Sequence, residues 1–251
     1  MRRLVLFLLN NILVNQILIV LGKDSIIKKF QSNWEKTNID EEKTLQENVG
    51  FSHEPQVQEA IDKVHSKIQE LFKTHCPETA NVLDIGCGVG LYLQDFPTTV
   101  QLNGSDLSES FINRAKELLP QGKFYAADYL KLTFESNFDF IYSVSVIEYI
   151  APSQLRTFFD KLYQELNPGG IVLIQYPHAL NKRELYYPDL SYIQYSPLVI
   201  QKKAEEAGFK TLDHQHSFDG RDLKVKFDTK RYDPEKDKSF RNGAFYIAQK
   251  N

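Results

Sequence analysis

Apolar residues recur along this chain in two alternating patterns. In residues 54–74, 109–119 and 153–166 they return every three to four positions, which predicts amphipathic helices with one buried face. Short continuous apolar runs lie between these stretches, such as VLDI from Val82 and IVLIQYP from Ile171, and they predict strands. Strands that alternate with amphipathic helices predict a parallel, doubly wound α/β sheet.

Cap and turn residues mark the last elements. Ser196 and Pro197 predict the start of a helix, with a capping hydroxyl followed by proline at the first helical position, and Gly208 predicts its end. Residues 209–218 and the GAFYIAQK run from Gly243 predict two final strands that pair with each other.

The N-terminal segment, residues 4–21, is apolar over a length close to the ~20 residues that a membrane span needs. Asn10, Asn11 and Asn15 share one side of its helical wheel, with Gln16 at the border, and each would be unsatisfied in hydrocarbon. This asymmetry favours a helix that lies in the membrane interface or packs on the domain or on a second copy of the chain as a homodimer. A true span stays open as an alternative, whereas a signal peptide is disfavoured because no small-residue cleavage site follows.

Composition narrows the class of protein. The 251 residues are 42% hydrophobic and 25% charged, which suits one α/β domain at residues 54–251 behind an N-terminal helix and cover segment at residues 1–53. With a net charge of −3, the chain has no overall positive charge that would attract nucleic acid, so no nucleic-acid partner is expected. Cys76 and Cys87 lack the spacing of a disulfide framework or zinc site, and a cytoplasmic location is the default expectation.

The run VLDIGCGVG, residues 82–90, carries the first candidate chemistry. Its glycines allow the backbone to turn sharply and to approach a ligand where a Cβ would block it. Asp84 would repel a pyrophosphate at this turn, but it suits a ligand with an ammonium or sulfonium centre. Asp106 ends the next apolar stretch, at about the distance where a Rossmann-type unit places the acidic residue that binds ribose hydroxyls.

Two further groups of polar residues follow along the chain. Asp128 and Tyr129 come after a short FYA strand, and Ser143 to Ser145 lie within the apolar run of residues 138–150. The turn NPGG at 167–170 then precedes another strand.

With these five motifs in this order, the chain resembles the class I S-adenosylmethionine-dependent methyltransferases over about residues 78–178. The resemblance implies a Rossmann-like, seven-stranded, mostly parallel sheet with an antiparallel last strand, and S-adenosyl-L-methionine as cofactor. It also implies cofactor contacts for Asp84, Gly86 and Gly88 (methionine part), Asp106 (ribose), Leu107, Asp128 and Tyr129 (adenine), and Ser143, Val144 and Ser145 (other side of the cofactor).

Two segments without clear periodicity are candidate covers of the site: residues 31–53, which alternatively form a plain linker, and the tyrosine-rich insertion at 177–196. Tyr176 and His178 precede or begin this insertion at a strand's carboxyl end, where open α/β sheets bind ligands, so we expect both to face the acceptor. His178 is the candidate catalytic base, because an unperturbed histidine titrates near neutrality; the alternative is a histidine that only hydrogen-bonds a loop.

Several tyrosines of this region are candidates for stacking on an acceptor, or simply for packing: Tyr176, Tyr186, Tyr187, Tyr192 and Tyr195. His214 and His216 share one face of a predicted strand near Asp213 and Asp219, but they do not form a clear ligand set, so no metal site is predicted.

The sequence therefore predicts a methyltransferase with a small-molecule acceptor, such as the hydroxyl of a sugar, glycan or related natural product. One alternative is a quinone or lipid methyltransferase at the cytoplasmic face of a membrane, which would give residues 4–21 a direct purpose. A second alternative is a protein that binds S-adenosylmethionine without catalysis.

Overall fold

The structure, a computed structural model, describes residues 25–49, 53–178, 185–186, 192–217 and 243–251. The apolar segment at 4–21, most of the insertion at 177–196, Tyr187 and Asp219 lie outside these ranges. Within them, no helix combines the length and the apolar character that crossing a membrane requires.

A seven-stranded sheet forms the centre of the molecule. The strands in chain order are β1 (Asn81–Ile85), β2 (Gln101–Asp106), β3 (Lys123–Ala126), β4 (Phe138–Val144), β5 (Leu166–Pro177), β6 (Leu185–Tyr186), β7 (Gln194–Tyr195), β8 (Phe209–His216) and β9 (Gly243–Lys250). The spatial order of the main sheet is β3-β2-β1-β4-β5-β9-β8, and β6 pairs with β7 separately. The first five strands pair in parallel, whereas β9 is antiparallel to both β5 and β8. The predicted fold class, including the antiparallel last strand, is confirmed.

The helices in the described ranges are α1 (Ser25–Glu35), α2 (Leu45–Asn48), α3 (Pro55–His75), α4 (Glu109–Leu118), α5 (Leu155–Glu165) and α6 (Pro197–Ala207). The apolar periodicity predicts α3, α4 and α5, and the cap residues predict α6, whereas α1 and α2 were not predicted. Ser108 caps α4, since its hydroxyl accepts a hydrogen bond from Phe111 N at 3.2 Å. At α6, Pro197 occupies the first turn and Gly208 ends the helix at φ +110°, as predicted.

Both faces of the central strands β1, β4 and β5 are largely buried, which is why these strands read as apolar runs. One core cluster packs α5 and α6 against the sheet through residues such as Phe158 and Ile200, and the other packs α3 and α4 through Ile68 and Ile112. With the faces covered, the carboxyl ends of the parallel strands remain as the place where a ligand can enter.

The described part of the N-terminal cover lies against those carboxyl ends. Gln31 of α1 donates from Nε2 to the Tyr149 carbonyl at 3.0 Å, and Ser108 Oγ donates to the Thr37 carbonyl at 2.8 Å. The Trp34 ring packs edge-on to Tyr149 with centroids 6.0 Å apart. Residues 25–49 therefore form part of the wall of the site; the domain boundary at 53/54 stays a prediction.

Candidate functional site

A cavity of about 540 Å³ opens at the carboxyl ends of the parallel strands. Each strand contributes the residues at or just beyond its end: Gly86, Cys87 and Gly88 after β1; Ser105, Asp106 and Leu107 at β2; Ala127, Asp128 and Tyr129 after β3; Val144 and Ser145 at β4; and Gln175 and Pro177 on β5. This is the position that an open, doubly wound sheet offers to a ligand.

The glycine turn after β1 is shaped by backbone conformations that other residues avoid. Gly86 has φ +75° and Gly88 has φ +52°, both in the left-handed region. A Cβ on Gly86 would overlap Val146 Cγ2, and one on Gly88 would come within 2.8 Å of Val49 Cγ1. Only glycine keeps both the turn and the space beside it.

Asp106 ties the turn to β2. Its Oδ2 accepts a hydrogen bond from Gly88 N at 3.0 Å, and its Oδ1 accepts one from Ser108 N at 2.9 Å. Burial raises the pKa of the Asp106 carboxyl, and these backbone donors oppose the rise. The carboxyl group therefore lies on the cavity wall with its orientation fixed by two backbone groups.

Asp84 and Ser143 lie one layer behind the cavity. Each side chain is 1% exposed, and neither belongs to the described lining of the cavity. Burial raises the pKa of Asp84 well above its usual value, the Tyr142 hydroxyl opposes the rise, and the Asp106 carboxyl adds to it. Two neighbouring carboxyls that each resist ionisation create a site where a cationic centre is favourable.

The β3 end of the cavity is fixed by local hydrogen bonds. Asp128 Oδ1 accepts from Leu130 N at 3.0 Å, which starts a short 3₁₀ turn at Tyr129–Lys131. Tyr129 donates from its hydroxyl to Glu165 Oε2 at 2.7 Å, so its ring is held against the cavity.

Ser145 is strained at the end of β4. Its φ of +54° is the one positive value for a non-glycine residue in the described ranges, and such a conformation costs about 1–3 kcal/mol. Gln175 maintains it, because Ser145 N donates to the Gln175 carbonyl at 3.0 Å and the two side chains are hydrogen-bonded at 3.2 Å. Strain held in this way keeps Val144 and Ser145 on the cavity wall.

The structure places Tyr176 and His178 on the opposite face of β5 from Gln175 and Pro177. Tyr176 is fully buried, and its hydroxyl is hydrogen-bonded to His214 Nε2 at 2.8 Å. The His178 ring packs on His216 of β8, with centroids 5.5 Å apart. Neither side chain is in the described lining of the cavity, so their predicted catalytic roles stay predictions without support from this geometry.

Glu148 lines the cavity, although the sequence assigns it no role. It lies in the 3₁₀ turn Ile147–Tyr149 directly after β4 and is 4% exposed. Burial raises the pKa of its carboxyl to about 8. In the sequence, Glu148 is a carboxylate within the apolar run of residues 138–150, where a charged residue is unusual.

Glu148→Gln is expected to stabilise the free protein at high pH. Because the folded-state pKa is raised from 4.5 to about 8, the folded state of wild type is favoured most below the unfolded pKa and loses that advantage as pH rises through the folded pKa. Glutamine has no such titration, so the free energy of unfolding of the variant relative to that of the wild type should rise by about 4 kcal/mol between pH 5 and pH 9. Urea unfolding at pH 5 and pH 9 measures the difference, and an equal difference at both values would contradict the assignment.

Among the residues that the structure describes, no three His, Cys, Asp or Glu side chains cluster as metal ligands would. His214 is instead bonded to Tyr176, and its backbone N donates to the Asp213 carboxylate at 2.8 Å.

Comparison with known proteins places this geometry in context. Residues 82–170 match a family described as methyltransferase domain. Trans-aconitate 2-methyltransferase from Variovorax paradoxus (strain S110) is 33% identical over 115 residues, which are 43% of each chain. A dTDP-3-amino-3,4,6-trideoxy-alpha-D-glucopyranose N,N-dimethyltransferase from Streptomyces venezuelae is 26% identical over 113 residues, 44% of this chain and 48% of that protein. The chain thus spans about half the length of the curated relatives it matches.

Among solved structures, the N-methyltransferase NodS from Bradyrhizobium japonicum WM9, in complex with S-adenosyl-L-homocysteine, superposes with a TM-score of 0.61 at 17% identity. The superposition covers 88% of this chain and 98% of that one. The likeness shows the shared fold, and together with the domain match it confirms the resemblance to class I methyltransferases.

Proposed function

We propose that this chain, which carries a class I S-adenosylmethionine-dependent methyltransferase domain, transfers a methyl group from S-adenosylmethionine to a small-molecule acceptor. The observation that carries the proposal is the cavity at the strand ends, where the glycine turn and Asp106 meet. The match of residues 82–170 to a methyltransferase domain supports it.

The residues present fit this cofactor. The sulfonium is a cation, and the carboxyls of Asp84 and Asp106 form an environment that favours positive charge. Asp106 is available to accept from ribose hydroxyls, and Asp128 and Leu107 line the cavity where the adenine is assigned. When bound, S-adenosylmethionine supplies a methyl group already activated for transfer.

The protein's own contribution to the reaction is alignment and exclusion of water. Methyl transfer requires the acceptor atom to lie in line with the S–CH₃ bond at near-attack distance. The rings of Trp34, Tyr149 and Tyr192 line the same cavity, and their flat apolar faces can hold an acceptor in a fixed orientation. A sugar, glycan or related natural product, as predicted from the sequence, fits walls of this kind.

A quinone or lipid acceptor at a membrane is the second candidate. The observation that favours it is the apolar segment at residues 4–21, which lies outside the described ranges. Flotation of the full chain with anionic vesicles tests this candidate. Loss of flotation on deleting residues 1–22 would support it, and absence of flotation by the full chain would exclude it.

Calorimetric titration tests the cofactor first. We expect S-adenosylmethionine to bind with a dissociation constant in the range of about 1–100 μM, because the glycine turn and Asp106 are already formed in the free protein. NAD, the control ligand, should not bind, because the buried Asp84 carboxyl behind the glycine turn disfavours the negative charge of its pyrophosphate. Absence of binding by S-adenosylmethionine would contradict the proposal.

A further inference from the structure

Glu148 is a lining residue of the cavity, and within the described part of the chain one oxygen of its buried carboxyl group lacks a hydrogen-bond partner. The side chain is 4% exposed, and its Oε2 has no hydrogen-bond partner among the residues that the structure describes. A buried carboxyl oxygen without a donor costs free energy, since it loses its water and gains nothing in return. A ligand with N–H donors would remove this cost.

The turn that carries Glu148 is fixed from three sides. Its backbone carbonyl accepts from Ile193 N at 3.0 Å, which places Tyr192 beside it on the cavity wall. Gln31 holds the carbonyl of the next residue, Tyr149, and Trp34 packs against the Tyr149 ring. The turn is therefore held in place, and three aromatic residues line the same cavity, Trp34, Tyr149 and Tyr192. Aromatic faces attract cations.

The charged side chains that line the cavity also favour a cationic ligand. Three carboxyl side chains line it, Asp106, Asp128 and Glu148, whereas Lys63 is the one cationic side chain in its described lining. Lys63 already forms an ion pair with Glu59 at 3.0 Å. Asp106 and Asp128 are assigned to the cofactor, so the Glu148 carboxyl remains for the acceptor.

We propose that the acceptor is a primary or secondary amine and that Glu148 binds its ammonium group and takes its proton. This inference rests on the proposed function and names the substrate class of the same site. An acceptor that offers only carboxylates cannot form an ion pair with Glu148, and a simple hydroxyl would leave the carboxylate without a cationic partner.

Glu148 accepts one proton from the ammonium, which frees the nitrogen lone pair. That lone pair forms the N–CH₃ bond while the S–CH₃ bonding electrons return to sulfur, giving the neutral thioether S-adenosylhomocysteine and a methylated ammonium product. The raised pKa of Glu148 supports the transfer, because the carboxylate is a stronger base than an exposed one.

Binding measurements test the assignment without knowledge of the natural acceptor. The first probe is sinefungin, an S-adenosylmethionine analogue with a primary amine in place of the transferable methyl, compared with S-adenosylhomocysteine, which lacks that amine. In the wild type, sinefungin should bind about 10-fold more tightly, as expected for one charge-assisted hydrogen bond. Glu148→Gln should reduce this ratio to near one and change the affinity for S-adenosylhomocysteine by less than about 2-fold.

The second probe addresses the acceptor itself. Wild-type protein saturated with S-adenosylhomocysteine should bind cyclohexylammonium about 10-fold more tightly than cyclohexanol, and Glu148→Gln should remove the difference. Glu117→Gln is the matched control, because Glu117 pairs with Arg114 on the surface of α4 and should leave every ratio unchanged.

The possible failures are distinguishable. The amine assignment is wrong if Glu148→Gln leaves the ratio of the affinities for sinefungin and S-adenosylhomocysteine unchanged. It is also wrong if the wild type binds cyclohexanol as tightly as cyclohexylammonium or more tightly. Either result would leave the proposed cofactor binding intact. Failure of the wild type to bind S-adenosylhomocysteine at all overturns the proposed function and this inference with it.

Discussion

Replacing Gly86 with alanine is expected to weaken binding of S-adenosylmethionine by about 1,000-fold. The residue has φ +75°, and a Cβ there would overlap Val146 Cγ2, so either the glycine turn or the start of the turn after β4 must move. Both segments line the cavity, so any relaxation of the clash changes the shape of the cofactor site. Calorimetric titration of the variant measures the loss.

Gly169→Ala separates the steric effect from the backbone effect. Gly169 has a similar φ of +80°, but a Cβ there would meet no atom within 4 Å. It should lose about 1 kcal/mol of unfolding free energy from the left-handed conformation alone and keep full cofactor affinity. If Gly86→Ala binds S-adenosylmethionine as well as Gly169→Ala does, the glycine turn does not hold the cofactor.

Asp106→Ala is expected to lower the affinity for S-adenosylmethionine by about 100-fold. The variant loses the carboxylate that would bind the ribose hydroxyls. It also loses the two hydrogen bonds that the carboxylate accepts from the backbone, from Gly88 N at 3.0 Å and from Ser108 N at 2.9 Å. Hydrogen bonds to a charged group contribute about 1.5–3 kcal/mol each, so the loss of even one or two such bonds accounts for this magnitude.

Asp139→Ala is the matched control for Asp106. Asp139 also accepts two hydrogen bonds, from Asn81 N and from Asn167 Nδ2, both at 2.8 Å, but it lies at the opposite end of β4 from the cavity. Both variants should lose unfolding free energy, and only Asp106→Ala should lose cofactor affinity. Equal losses of affinity would mean that the effect is a general loss of folded structure.

The sheet and its helices could be read from the sequence because their signals are local. The apolar periodicity of residues 153–166, for example, predicts α5 within two residues at its start, and Gly208 ends α6 at the predicted position. The glycine turn and Asp106 were likewise predictable, since spacing alone places them at the ends of neighbouring parallel strands.

The acceptor side could not be read in the same way. Alternation on β5 requires that Gln175 and Tyr176 point to opposite faces, but both faces of this strand are buried, so the sequence does not tell which one meets the cavity. The structure assigns Gln175 to the cavity and Tyr176 to a hydrogen bond with His214. Glu148 depends on a short 3₁₀ turn and on chain contacts from Trp34 and Ile193, which are remote in sequence.

The antiparallel strand β9 also constrains how the protein is made. It lies between β5 and β8, and within the residues that the structure describes β8 pairs only with β9. Along the chain β9 begins at Gly243, long after β5 ends at Pro177, so we expect the outer edge of β5 to wait for this partner during synthesis. During that interval the nascent chain exposes an apolar strand edge of the kind that aggregates or recruits chaperones. We expect the pairing of β9 with β5 to end this exposure.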